Sequence, residues 1–237
     1  MTGSRIIIYA LTLLGAAFFP ARGRAANTTS RTVHCEGRAY RYVLFAPKSA
    51  SPMPAMVLLH GAGDTPEPMI EAWRKLANKE RIVLIAPELP RDPKFEEAAP
   101  QVFRCMAEDA KQFAALDARR IYLFGHSMGG YLAYDGATLE SQYFAGAAIH
   151  GMRIADEYAW IVKRAERKTP IAIYIGDRDQ FVPIAGARKT RDLLQKEGFP
   201  VHYVEMKNHD HNYYALSGQI NADAWNFLKD KQLPLRK

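Results

Sequence analysis

The 237-residue sequence has no low-complexity tract and no stripe of basic side chains. It has only two cysteines and no apolar run near the ~20 residues that span a bilayer. Each scarcity removes a class. With 48% apolar and 24% charged residues and no repetitive segment, the chain suits one globular domain with a sizeable core and leaves no room for a second. The formal net charge of +7 comes from scattered Lys and Arg, and even Arg164, Arg167 and Lys168 share their run with Glu166, so neither a phosphate-tracking surface nor a nucleic-acid partner is expected. Cys35 and Cys105 are too few for a disulfide framework. They can pair in an oxidising compartment or stand as two separate buried thiols, and spacing does not decide between these.

The N-terminus differs from the rest. Arg5 precedes an apolar run from Ile6 to Phe19, then Pro20 and the small-residue stretch Gly23-Arg24-Ala25-Ala26. That is the layout of a secretory signal peptide over residues 1–25, cut after Ala25, which leaves a domain over 26–237. Fourteen residues are short for an uncleaved anchor, so stable membrane insertion is not expected and the mature protein is expected outside the cytoplasm, secreted or periplasmic. Cys35 lacks a Leu-x-Gly context for lipid attachment.

What the sequence does contain is a regular alternation of short apolar runs and helical patterns from residue 40 to residue 231. Residues 27–32 read as a polar lead, and Tyr40–Phe45 as a half-exposed edge strand. Runs at 55–59, 82–86, 121–124, 144–149, 171–175 and 201–206 read as strands of a mostly parallel sheet. Helices are expected over 67–80, 101–116, from Tyr131, and over 155–167, 184–196 and 217–231. The four prolines between Pro87 and Pro100 suggest a loop at the substrate rim, where Phe95 and Phe103 would face a ligand.

Chemistry-bearing residues fall where these strands end. Gly125-His-Ser127-Met-Gly129-Gly130 places a serine between small residues at a strand-to-helix turn, which lifts its hydroxyl clear of the sheet and leaves the Met128 amide at a helix N-terminus. His60-Gly61-Ala62-Gly63 follows the 55–59 strand. Its glycines let backbone N–H groups turn towards a ligand, with Ala62 the first choice of donor and Gly63 the alternative. After the 171–175 strand, Asp179 lies deeper in its loop than Asp177, which can simply cap the turn. After the last strand come His209 and His211. His211 is favoured as the base because it lies farther over the sheet edge, where Tyr213 can wall it in, and His209 is the alternative. His209-x-His211 also has two metal-ligand side chains, but no third stands at matching spacing, so neither a metal nor a cofactor is expected.

The order Ser127, Asp179, His211, together with the glycine-rich loop after an early strand and the strand-turn-helix around the serine, resembles the α/β-hydrolase family, and within it small secreted esterases of the polyhydroxybutyrate-depolymerase-like and dienelactone-hydrolase-like groups. The late histidines depart from those groups in number and in lacking a preceding run of glycines. The resemblance implies an α/β-hydrolase fold with helices on both faces and no large lid. It implies a Ser127–His211–Asp179 triad, with Ala62 and Met128 amides as oxyanion donors, acting on a small, short-chain or soluble carboxylic ester through an acyl-enzyme. Two other functions share these motifs: a secreted peptidase of the prolyl-oligopeptidase type, and a non-catalytic binding protein on the same fold.

Overall fold

The computed structural model describes residues 27–235, so the expected signal peptide and its cleavage site lie outside the described residues. Eight strands form one sheet: β1 (Asn27–Cys35), β2 (Arg38–Ala46), β3 (Met53–Leu59), β4 (Val83–Pro87), β5 (Leu116–His126), β6 (Gly146–His150), β7 (Ile171–Gly176) and β8 (Val201–Met206). Their spatial order is β1-β2-β4-β3-β5-β6-β7-β8. The six from β4 to β8 are mutually parallel, and β2 and β1 are added antiparallel at one side.

The central strands carry no charge where both faces are covered, and the charges of β5 (Asp117, Arg119 and Arg120) lie in its partly exposed first half. Since side chains alternate across a strand, Val57 and Leu59 of β3 enter one core while Met56 and Leu58 enter the other, and Leu123 and Phe124 of β5 divide the same way. The first core is closed by α2 (Pro93–Ala110), α3 (Met128–Leu139) and a 3-10 segment over Asp156–Arg164. The second is closed by α1 (Pro66–Glu80) and α5 (Ser217–Leu228). The last helix, α4 (Ile184–Lys196), packs against β7 and β8.

Three local expectations are corrected. The polar lead is strand β1: a turn at Glu36 and Gly37, both at positive φ, folds it onto β2, and an outermost strand tolerates polar side chains so long as alternate ones such as Val33 and Cys35 are buried. The proline-rich rim loop is largely helix. Asp92 caps α2 by accepting from the Lys94 amide, Pro93 occupies the first turn where a missing N–H costs nothing, and Pro100 is carried inside the helix. Phe95 and Phe103 are therefore core residues, 1% and 0% exposed and packed edge to face, and do not face a ligand. The helix expected over 155–167 is a shorter 3-10 segment, Asp156–Arg164, with Ile161 and Val162 pinned in the core.

Cys35 and Cys105 form a disulfide, their Cα atoms 6.4 Å apart, tying the end of β1 to α2.

Candidate active site

Ser127 stands between β5 and α3 with φ 53° and ψ −116°, a backbone conformation that a residue with a side chain adopts only when its surroundings impose it. The flanking glycines impose it. A Cβ on Gly125 would lie 2.0 Å from the Gly129 carbonyl oxygen, and one on Gly129 would lie 2.1 Å from that of Leu59. Only bare backbone lets β5, β3 and the start of α3 approach this closely. The Ser127 amide donates to the His150 carbonyl at 2.9 Å, and the Met128 amide is the first of α3, without an intrahelical acceptor.

The Asp179 side chain is fully enclosed in the loop after β7. Its Oδ1 accepts from the Phe181 and Val182 amides at 2.9 and 2.8 Å, which fixes the carboxylate, and its Oδ2 lies 2.7 Å from His211 Nδ1. On the other side of that ring, His211 Nε2 lies 2.9 Å from Ser127 Oγ. With Asp179 accepting from Nδ1–H, Nε2 is left to accept from the serine hydroxyl. Asp177 stays on the surface, its amide spent on the Met206 carbonyl.

His209 does not reach Ser127. Its backbone lies on Gly176, where a Cβ would meet the His209 carbonyl at 2.1 Å, and its buried ring turns inward to His150. The walls of His211 also differ from expectation. Phe181 and His126 flank the ring with centroids at 4.9 Å, while Tyr213 is buried beneath His126.

A cavity of about 560 Å³ opens over Ser127 and is bounded by Ala62, Asp64, Phe181, His211 and Tyr214. Ala62 lines it, whereas Gly63, at φ 82°, is not part of its wall, and a Cβ there would lie 3.4 Å from the Arg91 guanidinium. Asp64 accepts from the Thr65 amide and from the Tyr214 hydroxyl, joining the loop after β3 to the segment after His211. Burial, and then this carboxylate, push the Tyr214 phenol above its ordinary pKa. Among the described residues no group of three His, Cys, Asp or Glu side chains is arranged to hold a metal, and no helix is long and apolar enough to cross a membrane.

Sequence reading missed His126, His150, Asp64 and Tyr214. His126 was visible inside the serine motif and His150 at a strand end, but nothing local marks them as neighbours.

A strained serine between a parallel strand and a helix, with an aspartate and a histidine on later strand-end loops, defines a class of architecture, the α/β-hydrolase fold. Residues 56–155 match the model of the alpha/beta hydrolase family. Structurally, the chain is similar to a thermostable esterase (20% identity, TM-score 0.69, covering 86% of this chain and 63% of that one). It is also similar to S-formylglutathione hydrolase from Staphylococcus aureus (17% identity, TM-score 0.70, 87% and 98% covered). A ferulic acid esterase from Anaeromyces mucronatus shares the fold as well (14% identity, TM-score 0.65, 86% and 90% covered). No curated protein matches the sequence.

Proposed function

We propose that the protein is a serine hydrolase of small carboxylic esters. The observation that carries this reading is the unbroken hydrogen-bonded path from Ser127 Oγ through His211 to Asp179, open to a cavity. A serine hydroxyl is a weak nucleophile at neutral pH. As its oxygen attacks the acyl carbon, His211 Nε2 takes the proton, and the Asp179 carboxylate holds the imidazole in the productive tautomer and steadies the imidazolium. The carbonyl electrons move onto oxygen, where the Met128 and Ala62 amides donate to the oxyanion. Loss of one such donor typically costs about 3 kcal/mol of transition-state stabilisation. Collapse expels the alcohol, which takes the proton from His211. Water, deprotonated by the same ring, then releases the acid and restores Ser127.

Two features favour short or soluble esters over long lipids. The cavity is small, and the connection between parallel strands without an α-helix of its own, residues 151–170, is packed into the core through Ile161 and Val162 rather than free to fold over the site. The disulfide, with the N-terminal pattern, supports export and cleavage after Ala25.

A fluorophosphonate probe is expected to label the purified protein at Ser127 and to leave Ser127→Ala unlabelled; no label on the wild-type protein would remove the reading. A matched panel of p-nitrophenyl esters and anilides is expected to show ester cleavage that weakens from butyrate to long acyl chains. Faster anilide cleavage would favour a peptidase instead.

A further inference from the structure

Five of the seven histidines surround the site, and the chemistry above uses one. Three others form a row. His126 and His150 are register partners at the ends of β5 and β6, and their Nδ1 atoms lie 3.0 Å apart. His150 Nε2 lies 3.0 Å from His209 Nε2. All three rings are buried, at 8%, 0% and 3% exposure. Each contact joins two nitrogens of the same kind, so each requires one N–H and one bare nitrogen. Burial, and for His126 the neighbouring His211, hold all three rings below the ordinary imidazole pKa, His126 at about 4. They are therefore neutral near pH 7, with one proton each.

One proton per ring permits only two arrangements. In the first, His209 Nε2–H donates to His150, whose Nδ1–H donates to His126, leaving the His126 proton on Nε2. In the second every bond is reversed, and His126 Nε2 is bare. That nitrogen faces the cavity: a Cβ on Gly61 would lie 3.1 Å from His126 Cδ2, 3.5 Å from Nε2 and 3.7 Å from Ser127 Cβ, so the Nε2 edge and the serine flank one point of the wall, open only because residue 61 is glycine. Among the described residues Nε2 has no protein partner, yet it is not sealed from solvent.

We propose that the row runs from His209 to His126 and holds the His126 Nε2–H in the cavity as a third donor to the bound ester, a role that rests on the ester-hydrolase reading. Negative charge at the cavity end favours this order: the Asp179 and Asp64 carboxylates both act on His126, and the oxyanion would add to them in the same cavity. Asp179 acts on His209 too and so on both ends of the row, while Asp210 and Asp177 act on His209 and pull the other way. His150 and His209 are positioning residues, acting only through His126.

Long-range 1H–15N spectra of the purified 15N-histidine-labelled protein at pH 7 are expected to show protons on His126 Nε2, His150 Nδ1 and His209 Nε2. With p-nitrophenyl acetate, His126→Phe is expected to lower kcat/KM by ~10- to 100-fold, and His126→Gln, whose amide can offer an N–H near the same point, to recover most of it. His209→Phe leaves the cavity wall intact and is expected to lower kcat ~3-fold at constant KM while adding the second His126 tautomer to the spectrum. Protons in the reverse order, or wild-type kcat/KM in His126→Phe, would overturn the proposal in a protein that still hydrolyses esters. Because the spectra need no substrate, that result is separable from a wild-type protein whose Ser127 fails to label, which overturns the functional reading instead.

Discussion

The Tyr214 hydroxyl donates to the Asp64 carboxylate across the mouth of the cavity, joining residues 150 positions apart. The bond holds the loop that carries Ala62 against the segment that follows His211, so two walls of the cavity are fixed to each other. Tyr214→Phe keeps the ring and removes the tie. It is expected to raise KM ~3- to 10-fold, with kcat nearly unchanged and a stability loss of about 1.5–3 kcal/mol for one hydrogen bond to a charged group. Initial rates and urea unfolding check both; an unchanged KM would show that the tie does not shape the site.

Asp179→Asn tests orientation without emptying the loop. The asparagine oxygen can still accept from Phe181 and Val182, so the loop should keep its shape, but its amide would then face His211 Nδ1 and select the wrong tautomer. A fall in kcat of about 10³- to 10⁴-fold is expected, with thermal unfolding little altered. A loss below tenfold would mean that His211 is oriented by something else.

The disulfide should matter to stability and not to catalysis. It closes a separation of 70 residues, for which the chain-entropy model gives about 4 kcal/mol, while three strands lie between β1 and the serine-bearing β5. Cys35→Ala with Cys105→Ala is therefore expected to shift the urea midpoint strongly and leave kcat at 25 °C within ~2-fold. A large loss of kcat in the folded variant would contradict this separation.

Asp135 on α3 gives a pH test. Burial, and then the charge of Glu96, raise its carboxyl from the ordinary 3.8 to about 7. Between those values the folded protein keeps a proton that the unfolded chain has released, so Asp135 makes stability fall as pH rises from about 4 to about 7 and has a constant effect above that. Asp135→Asn removes this slope. Its stability relative to wild type is expected to be near zero at pH 4 and to reach on the order of 4 kcal/mol in the variant's favour at pH 8, since each pKa unit is worth about 1.4 kcal/mol. Taking the difference between the two proteins cancels the histidine contributions, which run the other way. Parallel pH profiles would show that Asp135 is ionised in the fold at neutral pH.

Most of the sheet was legible because parallel strands covered on both faces must be uncharged throughout, and runs such as 55–59 and 171–175 are. The glycines around Ser127 were legible for a similar reason: they are needed where backbone meets backbone, and that need is local. What misled was also local. Pro93 and Pro100 looked like loop residues because a breaker is read without its position in a helix, and the threonines of β1 looked like a lead because an edge strand may be polar where it faces water.

By itself, then, the sequence determined the alternation of strands and helices and the serine's place at a strand-to-helix turn, since both follow from periodicity and from the space around a glycine. Only the tertiary structure decided that His211 rather than His209 meets Ser127, that Cys35 meets Cys105, and that His126, His150 and His209 lie in a row. Each depends on how separate strands are placed side by side, and no short window of sequence encodes the distance between two strand ends.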